Sequence, residues 1–174
     1  MGDAQFFSTP LPLLGETDER TGEIETLIGH FALSNPHVKA LQAVPRALVL
    51  FSGPQGYMSP EGVTKPKWAP TWNYTIAQFE VDIEFTPAAN DQAIERLVQR
   101  MERDRVQPWT PAQMGERYAQ LVSRIISFRA PVRHSTSRFK LGQDETASVL
   151  DELVAQLEDP VLASWMLEFN RPAV

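Results

Sequence analysis

The stretch from Gln78 to Phe85 constrains the fold more than any other. Phe79, Val81, Ile83 and Phe85 alternate with Gln78, Glu80, Asp82 and Glu84 at a period of two, which predicts a strand with one buried face and one wet face. The strand is read as entering at Trp72. Over Trp72-Asn73-Tyr74-Thr75-Ile76 the alternation lapses, so either a bulge shifts the register there or both faces are covered.

The rest of the chain is read outward from that strand. Ala4 to Leu14 is apolar and extended, limited by Pro10 and Pro12, and Gly15 to Gly22 reads as a hairpin loop before a second strand from Ile24 to His30 that runs on to Ala32. Asn35-Pro36 pairs a good N-cap with proline at the first helical position and predicts a short helix ending near Pro45. Ala47 to Phe51 is a continuous apolar run, the pattern of a strand buried on both faces. Gly53 to Pro70, with three glycines and four prolines, reads as a long loop.

After Pro87 the period turns helical. Ile94, Leu97, Val98 and Met101 mark one helix, with Asn90 and Asp91 as candidate caps, and Tyr118, Leu121, Val122 and Ile125 mark a second that begins at Thr110-Pro111. A strand returns from Ile126 to Val132. Val149, Leu150, Leu153, Val154 and Leu157 share a helical face, and Asp159-Pro160 opens a last helix through Trp165. This order lacks the regular β-α alternation of a doubly wound parallel sheet. The predicted architecture is therefore mainly β with packed helices, a small antiparallel barrel forming a single domain over residues 1–174.

Composition removes several kinds of chemistry. The absence of cysteine excludes disulfides, thiolate metal sites and thiol nucleophiles. The net charge of −6 repels a polyanion, so direct nucleic-acid binding is not expected. No window approaches the apolar run of about 20 residues that a membrane span needs, and no signal-peptide pattern opens the chain, so a cytoplasmic location is expected. No G-x-G-x-x-G or Walker pattern opens a helix, no serine sits in a G-x-S-x-G context, and the three histidines show no zinc spacing.

What remains are three candidate features, each with two readings. His30 is either a hydrogen-bonded histidine or a ligand. Arg138 and Lys140 lie two residues apart, so in an extended chain they point to one side, where they either clamp a phosphate or form a solvated strand edge. Trp68, Trp72 and Tyr74 are either core aromatics or a stacking platform for a planar ligand.

Six blocks in order resemble the PaiB family of FMN-binding split-barrel proteins, which is associated with negative transcriptional regulation. They are Leu11-Pro12-Leu13-Leu14, Gly29-His30 with Ala32 and Asn35-Pro36, Phe51 to Pro60, Pro70 to Tyr74, Pro108-Trp109, and Arg138 to Gln143. The resemblance implies a dimeric split β-barrel, a homodimer with FMN held where the subunits meet. Carried over by block, His30, Ala32 and Asn35 would line the site, Ser52, Gln55, Tyr57 and Ser59 would supply a loop, and Thr71, Trp72 and Asn73 a strand. Arg138, Lys140 and Gln143 would contact the phosphate or ribityl chain.

Other members imply a haem-dependent, piperazate-synthase-like enzyme in which His30 would be the axial ligand to haem b. A member that binds no cofactor is a third possibility. This chain departs from the family at Gln55, at Glu61-Gly62, and at Asp144-Glu145, where an asparagine-arginine pair is usual. Two acids there remove a cation and add repulsion. The family also carries an N-terminal helix and strand ahead of this chain's first residue, so a trimmed or shortened barrel is expected.

Overall fold

In a computed structural model, residues 6–170 are described. Six strands run in the order β1 (Leu14–Thr17), β2 (Ile24–Ala32), β3 (Arg46–Met58), β4 (Thr71–Asp82), β5 (Glu84–Phe85) and β6 (Ile125–Lys140). The helices are α1 (Pro36–Ala43), α2 (Asn90–Glu102), α3 (Arg117–Val122), α4 (Ala147–Ala155) and α5 (Pro160–Asn170). Hydrogen-bonded neighbours follow the order β1-β2-β6-β4-β3, with β5 also pairing to β6. The fold is mainly antiparallel β with helices, as the sequence implies. The chain divides into two units whose boundaries fall inside β3, β4 and β6.

The first unit takes the residues up to Leu48 and Glu80–His134. Its first strand begins later than the apolar stretch suggested: residues 6–13 are not strand, and Ala4 and Gln5 lie outside the described residues. Prolines at 10 and 12 cannot donate to a ladder, so pairing starts only at Leu14, opposite Ile28. Asp18 closes the hairpin by accepting from the N–H of Arg20 and of Thr21, both at 2.7 Å. β2 then pairs antiparallel with β6, Leu27 opposite Ala130 and His30 opposite Ser127. Phe31 anchors the unit's core against Phe128, with ring centroids 5.0 Å apart.

Helix α1 starts where the sequence placed it, capped by Asn35 Oδ1 accepting from the His37 N–H at 2.9 Å. Asn90, read as a cap, instead lies inside α2. Its Nδ2 donates to the carbonyl of Ile125 at 3.0 Å and its Oδ1 accepts from the Ser127 N–H at 2.8 Å, which ties α2 to the start of β6. The helix expected from Thr110 is broken by Gly115 at φ 56, so only α3 is α-helical.

The second unit takes Val49–Phe79 and the residues from Ser135 onward. Leu141, Leu150, Leu153, Leu162 and Met166 form its core under Met58 of β3. Two readings of the sequence change here. β3 continues through Gly53 and Pro54 to Met58, so the loop shrinks to residues 59–70. Proline is tolerated because β3 lies at one end of the strand order, and glycine is needed because a Cβ at position 53 would strike Thr75 Oγ1. The apolar run at its start is not buried on both faces: Leu48 and Leu50 are each 56% exposed.

In β4 no register shift is needed to explain the lapsed alternation, and Tyr74 and Ile76 on the opposite face are half-buried, so both faces are partly covered there. Asn73, Thr75, Phe79 and Val81 are all buried, so the buried face keeps its parity and merely turns polar at Asn73 and Thr75. The ladder breaks at Ile83, which donates its N–H to the Pro45 carbonyl at 2.7 Å, while the alternation of burial continues to Phe85.

Candidate functional site

Polar residues on a buried strand face must find partners or a ligand. In β4, Thr71 and Asn73 turn to one side and Trp72 to the other. Lys140 closes β6, and its ammonium donates to Thr71 Oγ1. The loop before β4 adds Lys65, Lys67 and Trp68, and the turn after β6, through Gly142 at φ 86, adds Glu145. These side chains, with Leu153 at the base, line a cavity of about 370 Å³ within the second unit. Pockets that hold small ligands span about 300–1000 Å³.

Three lysines and two acids, Asp144 and Glu145, line this cavity. Glu145 accepts from Trp68 Nε1 at 2.7 Å and from Lys65 Nζ at 2.9 Å. Those two donors, the indole first, hold its carboxyl below the usual range. The acid therefore does not simply repel an anion; it neutralises Lys65. Lys67 and Lys140 line the same cavity, with Asp144 as its second acid, and Lys140 donates to the Thr71 hydroxyl. Asn73 is buried, its Nδ2 reaches the thioether of Met166 at 3.5 Å, and its Oδ1 has no hydrogen-bond partner among the described residues. Two ammonium groups, a hydroxyl and an unpaired buried amide suit a phosphorylated ligand with further polar edges.

The residues singled out from sequence fall into three sets. Thr71, Asn73 and Lys140 meet in the cavity. Ser52, Gln55 and Trp72 form a hydrogen-bonded chain on an exposed surface of the same unit: Trp72 Nε1 donates to Gln55 Oε1 at 3.2 Å and Gln55 Nε2 to Ser52 Oγ at 3.1 Å. Tyr57 is also exposed. Gln143, Ser59 and Asn35 serve local structure. Gln143 accepts from the Leu141 N–H and donates to the Phe139 carbonyl, Ser59 Oγ accepts from the Glu61 N–H, and Asn35 caps α1 while donating to Thr9 Oγ1. Arg138 is exposed and is not among the cavity's lining residues.

His30 and Ala32 lie on β2 in the first unit, His30 half-buried and its imidazole held below the ordinary pKa by that burial. Lys65 and Lys67 were not picked out from sequence. The one available signal was the run Lys65-Pro66-Lys67-Trp68, two cations and an indole just ahead of Pro70-Thr71.

The fold is a mainly antiparallel sheet with helices, and its second unit holds a cavity lined by three lysines. The structure of a FAD- and haem-binding protein from Mycobacterium smegmatis shares this fold, with a TM-score of 0.56 and 14% identity over 90% of this chain and 69% of that one. Residues 1–134 match the family described as "Putative FMN-binding domain", and the chain belongs to that family.

It is similar to "Protease synthase and sporulation protein PAI 2" of Bacillus subtilis, 24% identical over 137 residues, covering 76% of this chain and 65% of that protein's length. It is also similar to an uncharacterised protein of Emericella nidulans, 27% identical over 177 residues, covering 83% of this chain and 70% of the relative. No helix among the described residues is long and apolar enough to cross a membrane.

Proposed function

We propose that this chain binds FMN, with the phosphate held by Lys67, Lys140 and the Thr71 hydroxyl and a polar edge of the ligand reaching Asn73. The observation that carries the reading is the cavity's donor set beside a buried, partnerless amide oxygen, in a member of an FMN-binding family. The family match ends at residue 134, so the assignment of Lys140 rests on the cavity itself. Bound FMN supplies one- and two-electron transfer, while the protein supplies binding and orientation. The role proposed is redox or regulatory. Any regulation acts through the flavin rather than by DNA contact, since a net charge of −6 repels a polyanion.

The partner proposed is a second copy of this chain. Leu50 and Tyr57, each 56% exposed, and Trp72, 50% exposed, leave apolar surface on β3 and β4 uncovered.

His30 favours a second reading, in which it ligates haem. Burial keeps its imidazole neutral at pH 7, so a ring nitrogen is free for a metal. The visible absorption spectrum of the purified protein tests both. Flavin bands support the first reading, and a Soret band lost in His30→Ala supports the second. A spectrum with neither, even after addition of each cofactor, contradicts both.

A further inference from the structure

The loop that brings Lys65, Lys67 and Trp68 to the cavity is fastened at two points by carboxylates from the segment that follows β6. Glu152 accepts from the Thr64 N–H at 2.9 Å and from Thr64 Oγ1 at 2.5 Å. Glu145, whose side chain is only 12% exposed, accepts from Lys65 and from Trp68. Between these fastenings Lys67 sits at φ 58, a left-handed conformation that L side chains rarely adopt. Such a residue persists only where its surroundings hold it. The carboxylates hold this strap together with Val63 and Trp68, which pack against the unit's core.

Glu145 therefore occupies the place of an anion in a cavity suited to one. A phosphoryl group entering beside Lys140 and Lys67 meets a half-buried negative charge that already holds the third lysine. We propose that Glu145 is a built-in rival of the ligand's phosphate: it sets the cavity's affinity for phosphorylated ligands by occupying Lys65, which a bound phosphoryl group draws away. This rests on the reading of the cavity as a phosphate site. The chemistry is exchange between two hard oxyanions on one ammonium, and a phosphate near charge −2 outcompetes a carboxylate of −1. No covalent step is involved.

Glu145→Gln removes the charge yet keeps an oxygen acceptor for Trp68 Nε1, so the strap stays fastened; an unchanged thermal midpoint checks this. Wild type, Glu145→Gln, Lys65→Ala and the double variant are titrated with FMN and, in parallel, with riboflavin, which lacks the phosphate. The expected result is FMN binding about tenfold tighter or more in Glu145→Gln, the order expected for removing one unit charge near a dianion. Riboflavin affinity stays unchanged, and the gain disappears in the Lys65→Ala background. Unchanged or weaker FMN binding in Glu145→Gln, while wild type still prefers FMN to riboflavin, overturns the rivalry and leaves the phosphate site standing. A gain that survives Lys65→Ala also overturns it, because the effect is then not exchange on Lys65. No preference for FMN over riboflavin in wild type or in Glu145→Gln overturns the phosphate site and this proposal together.

Discussion

Asn73 carries an uncompensated penalty in the folded chain. It is buried, yet among the described residues its Oδ1 accepts from no donor and its Nδ2 has a sulfur partner. A buried polar atom left unpaired costs about 1–3 kcal/mol, whereas an apolar group of similar shape is neutral or stabilising. Asn73→Leu is expected to raise the stability of the ligand-free protein by about 1 kcal/mol and to weaken FMN binding about tenfold. Chemical denaturation and a flavin titration measure the two effects. A variant that is both less stable and unchanged in binding contradicts the role given to Asn73.

Thr71 and Asn73 were legible through the family resemblance, since the alternation lapses over that stretch, and Lys140 through its spacing of two from Arg138. Lys65 and Lys67 were not, since a Pro-containing loop has no period, and the partners that position it lie 77 to 88 residues away. Gln143 and Asn35 matched the family pattern, but the backbone groups beside them take up their amides.

At the scale of elements, one carboxylate joins three of them. Glu16 on β1 accepts from Arg96 of α2 at 2.7 Å and from Arg129 of β6, and the hydrogen bond from Arg129, followed by that from Arg96, holds its carboxyl below the ordinary value of 4.5. Because the folded state lowers this pKa, the contribution is complete above about 4.5 and is lost as pH falls through the folded value. Thermal midpoints measured from pH 7 down to pH 3 should fall less steeply for Glu16→Gln than for wild type, with the curves separating above about pH 4.5 and closing below it. Parallel curves contradict the clamp.

The elements themselves were largely readable. The α1 cap, the β2 strand and the α4 face all stand where local chemistry put them. The misplaced end of β3 has a tertiary cause: the strand runs through Gly53-Pro54 because it lies at one end of the strand order and approaches Thr75 closely there.

On the scale of the whole molecule, Leu50, Phe51, Tyr57 and Trp72 stay exposed in the single chain. Solvent-facing apolar residues on an edge strand invite pairing, and here that is proposed to be with a second copy. Leu50→Glu is expected to shift wild-type dimers to monomers in sedimentation velocity. A wild type that sediments as a monomer throughout the micromolar range contradicts the proposed homodimer. The mainly β class with packed helices was legible from the order of elements along the chain, whereas this exposed surface was not, because Ala47 to Phe51 has the same composition as a buried strand. Only the strand order tells an edge from a centre.

The central claim is that the cavity recognises a phosphate on a flavin. Its most direct test is a paired titration of the wild type and Lys140→Ala with FMN and riboflavin, followed by quenching of flavin fluorescence. Wild type is predicted to bind FMN in clear preference to riboflavin, and Lys140→Ala to lose about ten- to hundredfold in FMN affinity, the range for a charge-assisted hydrogen bond, with riboflavin unaffected. Equal binding of the two flavins by the wild type, or an FMN affinity untouched by Lys140→Ala, would contradict it.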